Sequence, residues 1–234
     1  MKKMGILIFM ICIITACYKS NDYEKILDKD ILTVSTDLPS IPADGASMIC
    51  VTAHIPQNAD PSKRTITLET NAGKWKEDGQ KSINIFANSN GDVITDLQSD
   101  LKPQAIRIRA SIPTIIIQEV NLSFERAYPE TIILDPGCFG LKATFTDTTQ
   151  VKAILKRQIG KPSEETVVNF SATTNEGAPI GNFRSLTFSD QDGIASVLYC
   201  GGATTYRGVV TIKATVDTPN NGVVTANATI NIIE

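Results

Sequence analysis

Histidine occurs once in this chain, as His54, and tryptophan once, as Trp75. One histidine cannot build a His-rich metal site, and the cysteines form no Cys-x-x-Cys pair, so zinc-ribbon and dithiol redox chemistry find no support. Gly-x-Ser-x-Gly is absent, and no serine or cysteine stands in a nucleophile-elbow setting. Lysine and arginine total 22 against 25 aspartates and glutamates, with no basic excess to neutralise phosphates, so nucleic acid is not an expected partner. Beyond the N-terminus, no apolar run approaches the roughly 20 residues that span a bilayer. Carboxylates are plentiful, but Asp92, Asp96, Asp100, Asp190 and Asp192 fall in turns and on solvated faces, where they keep a surface wet. Asp190-x-Asp192-Gly193 opens like a calcium loop without the later ligands, and a turn explains it better. The expectation is a non-enzyme with no cofactor and no metal.

What the chain does have begins at its N-terminus. Lys2 and Lys3 precede an apolar run from Ile6 to Ile14, followed by Thr15-Ala16-Cys17. This order resembles the lipobox of a bacterial lipoprotein, which implies a signal peptide over residues 1–16, cleavage before Cys17 and lipidation of its sulfur. The membrane would then be reached through the lipid, by more than one acyl chain if attachment is to be firm. Residues 17–30 read as a solvated tether, rich in Lys19, Asp22, Glu24, Lys25, Asp28, Lys29 and Asp30. Tyr18 differs from the aspartate that signals inner-membrane retention, which points to the outer membrane.

After Asp30 the pattern has period two: short β-branched runs separated by Gly, Pro, Asn and Asp, the mark of an all-β sandwich fold. The chain also repeats itself. Ala105-Ile106-Arg107-Ile108-Arg109-Ala110 matches Val209-Val210-Thr211-Ile212-Lys213-Ala214, with alternate residues apolar. Upstream, Ile49, Val51 and Ala53 align with Val151, Ala153 and Leu155, which sets the outward Cys50 beside Lys152. Asn90-Gly91 corresponds to Asp192-Gly193, both suited to tight hairpins. Thr70-Asn71-Ala72-Gly73-Lys74-Trp75 corresponds to Thr174-Asn175 and, after an insertion, Gly181-Asn182-Phe183. Trp75 and Phe183 are expected to plug one pole of each core; stacking of Trp75 on a carbohydrate is the alternative. Two domains follow, at residues 31–126 and 127–234, with the join inside Glu125 to Glu130 and Tyr128-Pro129 placed in the seam.

Pro42-Ala43-Asp44-Gly45, an alternating strand, Thr70-Asn71-x-Gly73, a turn with glycine and a strand ending at Ala110 resemble an invasin/intimin-type bacterial Ig-like (Big) domain. Ser189-Asp190-Gln191-Asp192-Gly193-Ile194-Ala195 is the best single stretch of the second copy. Two departures stand out: the second copy lacks Pro-Ala-Asp-Gly before its second strand, and the segment from Asn88 to Lys102 is poor in apolar residues. The resemblance implies immunoglobulin-like β-sandwich domains in tandem, acting as spacers or adhesion modules on the bacterial surface. It supplies no binding residues to carry over.

Cys138 sits near the end of the first strand of the second copy and Cys200 near the end of its fifth; in an antiparallel sandwich both lie at one pole, within disulfide reach unless the second strand comes between them. Cys50 reads as a sheltered thiol on an outer face, and His54 as a surface residue without a role. The leading function is a non-catalytic, lipid-anchored envelope protein that meets another envelope or surface protein through the free loops of the second domain or an edge strand. The alternative is a glycan-binding accessory lipoprotein using Trp75, Tyr128, Tyr199 or Tyr206, with Tyr206 in the Gly201–Gly208 loop the best-exposed candidate.

Overall fold

Alternation of apolar and polar side chains becomes strand after strand in the computed structural model, which describes residues 31–112, 116–184, 187–219 and 222–234. Cys17, the signal segment and the tether lie outside the described residues. The first half contains β1 (Thr33–Thr36), β2 (Ser40–Pro42), β3 (Met48–His54), β4 (Thr65–Thr70), β5 (Lys74–Trp75), β6 (Ser82–Phe86), β7 (Asp92–Gln98), β8 (Gln104–Ile112) and β9 (Ile116–Glu125). They form two sheets, ordered β1-β3-β7-β5 and β2-β9-β8-β4-β6. Ile49, Val51 and Ala53 of one sheet and Ile66, Leu68, Ile106, Ile108 and Ala110 of the other fill a shared core. This is an Ig-like β-sandwich.

The second half repeats the plan with β10 (Thr131–Asp135), β11 (Gly140–Lys142), β12 (Thr149–Lys156), β13 (Val167–Thr174), β14 (Asn182–Arg184), β15 (Thr187–Phe188), β16 (Ile194–Cys200), β17 (Gly208–Thr218) and β18 (Gly222–Ile233). Its sheets run β10-β12-β16-β14 and β11-β18-β17-β13-β15. Each strand holds the place of its counterpart, β10 for β1 through β18 for β9. The parallel pairing of β2 with β9 is repeated by β11 with β18.

Register corrects two readings of the sequence. Ala53 faces Val93 across the ladder and Ala153 faces Ala195, each the second residue after its turn glycine. Val51 therefore corresponds to Val151 and Ala53 to Ala153; the sequence alignment is slipped by two, and Cys50 stands beside Gln150 in the repeat, not Lys152. A slip of two leaves every side chain on its own face, so alternation cannot detect it. The second correction concerns Asn90-Gly91 and Asp192-Gly193, which do not close hairpins. β6 and β7 belong to different sheets, as do β15 and β16, so each turn carries the chain across the core. The Asn88 side chain accepts the backbone N–H groups of Asn90 and Asp92, and Asp190 accepts those of Asp192 and Ile194, which fixes both crossings. Asp190 Oδ1 thus serves the turn itself.

Gly73 and Gly181 do hold one position. Lys74 pairs with Gln98 and Asn182 with Cys200, and the following aromatic, Trp75 or Phe183, faces Leu97 or Tyr199. Both glycines have φ above +70°, and a Cβ would sit 2.5 Å from the Gln98 carbonyl or 2.4 Å from that of Cys200. Only glycine lets the chain turn there and still lay the ring into the core.

Pro42-Ala43-Asp44-Gly45 serves two purposes. Burial pushes the Asp44 carboxyl up, but hydrogen bonds from the Ser47 and Ala46 amides and the Ser47 and Ser99 hydroxyls outweigh it and hold it below the ordinary range. A carboxyl depressed by folding stabilises above its unfolded pKa of about 3.9 and loses that contribution as pH falls through the lower folded value. Asp44→Asn is thus expected to be less stable than the native chain at pH 7, with the gap narrowing below about pH 4; denaturant melts across that range check it, and a gap independent of pH would contradict it. In the second copy, Thr144 takes over the role, accepting the Asp147 amide.

The second purpose is the seam between the sandwiches. The Asp44 carbonyl accepts the Lys161 amide at 2.8 Å, and that of Leu101 accepts the Glu164 amide at 2.9 Å. Ser163, fully buried, donates its hydroxyl to the Ala43 carbonyl and accepts the Ala127 amide, both at 2.8 Å. Gly160 lies so close that a Cβ would stand 2.4 Å from the Asp44 carbonyl. Tyr128 packs on the core cluster of the second sandwich that contains Ile132, Leu155 and Val216. The Gly160–Glu164 loop, which the sequence did not single out, makes the contact instead.

Candidate interaction surface

The aromatics proposed for glycan stacking do not form a platform. Trp75 is fully buried and donates its indole N–H to the Lys81 carbonyl at 3.3 Å. Tyr199 is fully buried too, with its hydroxyl on the Ile180 carbonyl, and burial pushes its phenol up to about 12. Tyr206 packs against the core and donates to the Val209 carbonyl at 2.7 Å, closing its own loop and leaving its ring only partly open. Side chains that plug cores cannot also stack on sugars at the surface.

Cys138 and Cys200 are unpaired, as is Cys50. In the sheet order β10-β12-β16, strand β12 separates the strand before Cys138 from the strand ending in Cys200. Cys200 is buried, its thiol toward the Asn182 carbonyl, and Cys138 directs its thiol at the Gly140 carbonyl. His54 pairs with Asp92 at 2.7 Å on the outer face of the first sandwich. Among the described residues no cluster of three His, Cys, Asp or Glu is placed to hold a metal, and no helix is long and apolar enough to cross a membrane.

Exposed aromatics occur elsewhere, at the pole of the second sandwich away from the seam. The strand directions bring the loops of residues 136–148, 175–181 and 201–207 together there. Phe139 is 83% exposed and Phe145 54% exposed. Neither hangs free at its backbone: the Phe139 carbonyl accepts the Asn231 amide, and the Phe145 carbonyl accepts the Arg184 guanidinium at 3.0 Å. The Phe145 ring lies over Gly202, where a Cβ would be in ordinary van der Waals contact with it at 3.5 Å. Arg207 braces the neighbouring loop through the Thr204 and Tyr206 carbonyls. Fixed backbone, exposed rings and nearby arginines are the ingredients of a binding hot spot.

The first sandwich shows what this pole does when covered. Phe145 corresponds to Gly45, three residues after the short strand β2, and Gly45 carries the Leu101 side chain over it. That end of the first sandwich meets the second through Ala43, Asp44 and Leu101. At the same end of the second sandwich the glycine is replaced by an exposed phenylalanine. Sequence patterning missed Phe139 and Phe145 because both lie in loops, where no alternation marks a face. Phe86 and Phe188, exposed at matching places on the edge strands β6 and β15, are by contrast repeated between the copies.

No protein-family model and no curated protein matches the chain. Solved structures do. The Yersinia pseudotuberculosis adhesin InvE superposes with a TM-score of 0.61 at 11% identity, over 89% of this chain and 60% of its own. Invasin, a bacterial integrin-binding protein, gives 0.59 at 22% identity, over 86% of this chain and 39% of its own. A tetra-tandem repeat from the extending region of a large adhesion protein gives 0.50 at 15% identity, over 86% and 49%. The chain thus shares the fold of invasin-type Ig-like domains and spans less than two thirds of the length of each of these structures.

Proposed function

We propose that this chain is a non-catalytic, lipid-anchored protein of the bacterial envelope whose tandem Ig-like sandwiches, 31–126 and 127–234, hold a protein-binding pole away from the membrane. The observation that carries the reading is the pair Phe139 and Phe145, exposed on braced loops at a pole whose counterpart in the first sandwich is covered by a neighbouring module. Similarity to an adhesin, to an integrin-binding invasin and to an adhesion-protein repeat supports a role in surface interaction. The Ile14-Thr15-Ala16-Cys17 lipobox supports anchoring through Cys17, and residues 17–30 are the tether.

The test uses full-length protein in its own envelope, with a photo-cross-linking residue at position 139 or, as control, at position 152. A discrete protein adduct is expected from position 139 alone. Adding Phe145→Ser should reduce that adduct, because losing an aromatic anchor costs about 2 kcal/mol or more of binding. Cys17→Ser should release the chain from the membrane fraction. Absence of any adduct at 139 would overturn the binding pole, and membrane retention of Cys17→Ser would overturn the anchor.

A further inference from the structure

A second surface, on the first sandwich, has a different chemistry. The outward side chains of β8 include Arg107 and Arg109. Arg109 lies between Glu69 of β4 and Glu119 of β9 in the sheet register, and pairs loosely with Glu69 at 3.8 Å. Arg107 faces only amides: Asn121 on one side and Asn71 on the other. Its guanidinium has no hydrogen bond or ion pair among the described residues, whereas its backbone is held firmly. Asn71 accepts the Arg107 amide at 2.7 Å and donates to the Ala105 carbonyl at 3.1 Å, and Lys81 pins the turn by donating to the Asn71 carbonyl at 3.1 Å.

These groups wall an open cavity of about 320 Å³, completed by Thr70 and Ser82. Every lining residue is polar. Three cations, Lys81, Arg107 and Arg109, stand against one carboxylate, Glu69, in a chain whose net charge is −3. The repeat acts as an internal control. Arg107 corresponds to Thr211 in the second sandwich, and Glu69 to Ser171, a register that moves the counterpart of Thr70 from Thr174 to Ala172, so the fold itself does not require the cluster. Holding an unpaired arginine beside two other cations in a fixed groove suits a ligand that brings the missing anion.

We propose that this groove binds an acidic saccharide, a sugar unit carrying a carboxylate. Arg107 and Lys81 receive the carboxylate, and the Glu69 carboxylate and Ser82 hydroxyl take the sugar hydroxyls. The lining favours a sugar over an acidic peptide because its mixed donors and acceptor match a ring of hydroxyls, and the aliphatic stems of Lys81, Arg107 and Arg109 can lie against the ring's C–H face. Aromatic stacking has no part in it.

Calorimetric titration of the full chain with tetra-galacturonate, at low salt, tests the proposal. Binding is expected, with Arg107→Gln weakening it about tenfold or more, Lys213→Gln in the second sandwich leaving it unchanged, and a neutral glucose tetrasaccharide failing to bind. Near-UV circular dichroism confirms that Arg107→Gln remains folded. No binding of tetra-galacturonate at millimolar concentration would overturn the proposal. Binding insensitive to Arg107 would do so too, as would an Arg107-dependent preference for a penta-glutamate peptide.

Discussion

Trp75→Ala is expected to destabilise the first sandwich by about 3–5 kcal/mol, a large part of the 5–15 kcal/mol that holds a typical domain together. The indole is the largest fully buried side chain in the protein, lies on the two-residue strand β5 and faces Leu97 across the ladder. Truncation would leave a void between the sheets and free the Lys81 carbonyl from its indole donor. Trp75→Phe should cost much less, because Phe183 occupies the same position in the second copy. As Trp75 is the sole tryptophan, the transitions should be followed by far-ultraviolet circular dichroism in urea. A loss below about 1 kcal/mol for the alanine variant would show that the ring is not the plug described.

Ser163→Ala should have the next largest effect, and a different signature. The substitution removes one hydroxyl but leaves two buried backbone groups, the Ala43 carbonyl and the Ala127 amide, without a partner. Each orphan costs at least about 1 kcal/mol, so the seam should weaken by roughly 2 kcal/mol or more. Neither core contains Ser163, so the loss should fall on the coupling between sandwiches. The two are expected to melt together in the native chain and separately in the variant, as seen by calorimetry. Amide exchange should rise at Lys161 and Glu164, the donors across the seam, while β8 and β17 stay protected. Unchanged coupling and exchange would mean that the Gly160–Glu164 contact does not join the domains.

Asp44 shows how closely local and long-range roles are combined. Its carboxylate closes the loop before β3, while its carbonyl receives the second sandwich. The sequence displays the first role, because Asp-Gly followed by Ser is recognisable turn chemistry. The second depends on a loop more than a hundred residues away, and nothing near Asp44 announces it. Tyr128 makes the same point: an aromatic in a linker needs cover, and only the structure shows that the second core supplies it.

The sequence by itself determined the faces. Ile106, Ile108 and Ala110, like Val210, Ile212 and Ala214, are buried because alternate side chains of a strand point to one side, and burying that side is what drives the sheets together. It also determined the repeat and the glycine that sets Trp75 and Phe183 into their cores, since positive φ beside a carbonyl admits no side chain. Only the tertiary structure decided the register of β12, the crossing from β6 to β7, the unpaired state of Cys138 and Cys200, the seam at Ser163 and the exposure of Phe139 and Phe145. A two-residue slip preserves every face, and a loop carries no periodicity. Such choices are settled by which distant backbone groups find partners and which apolar surfaces find cover.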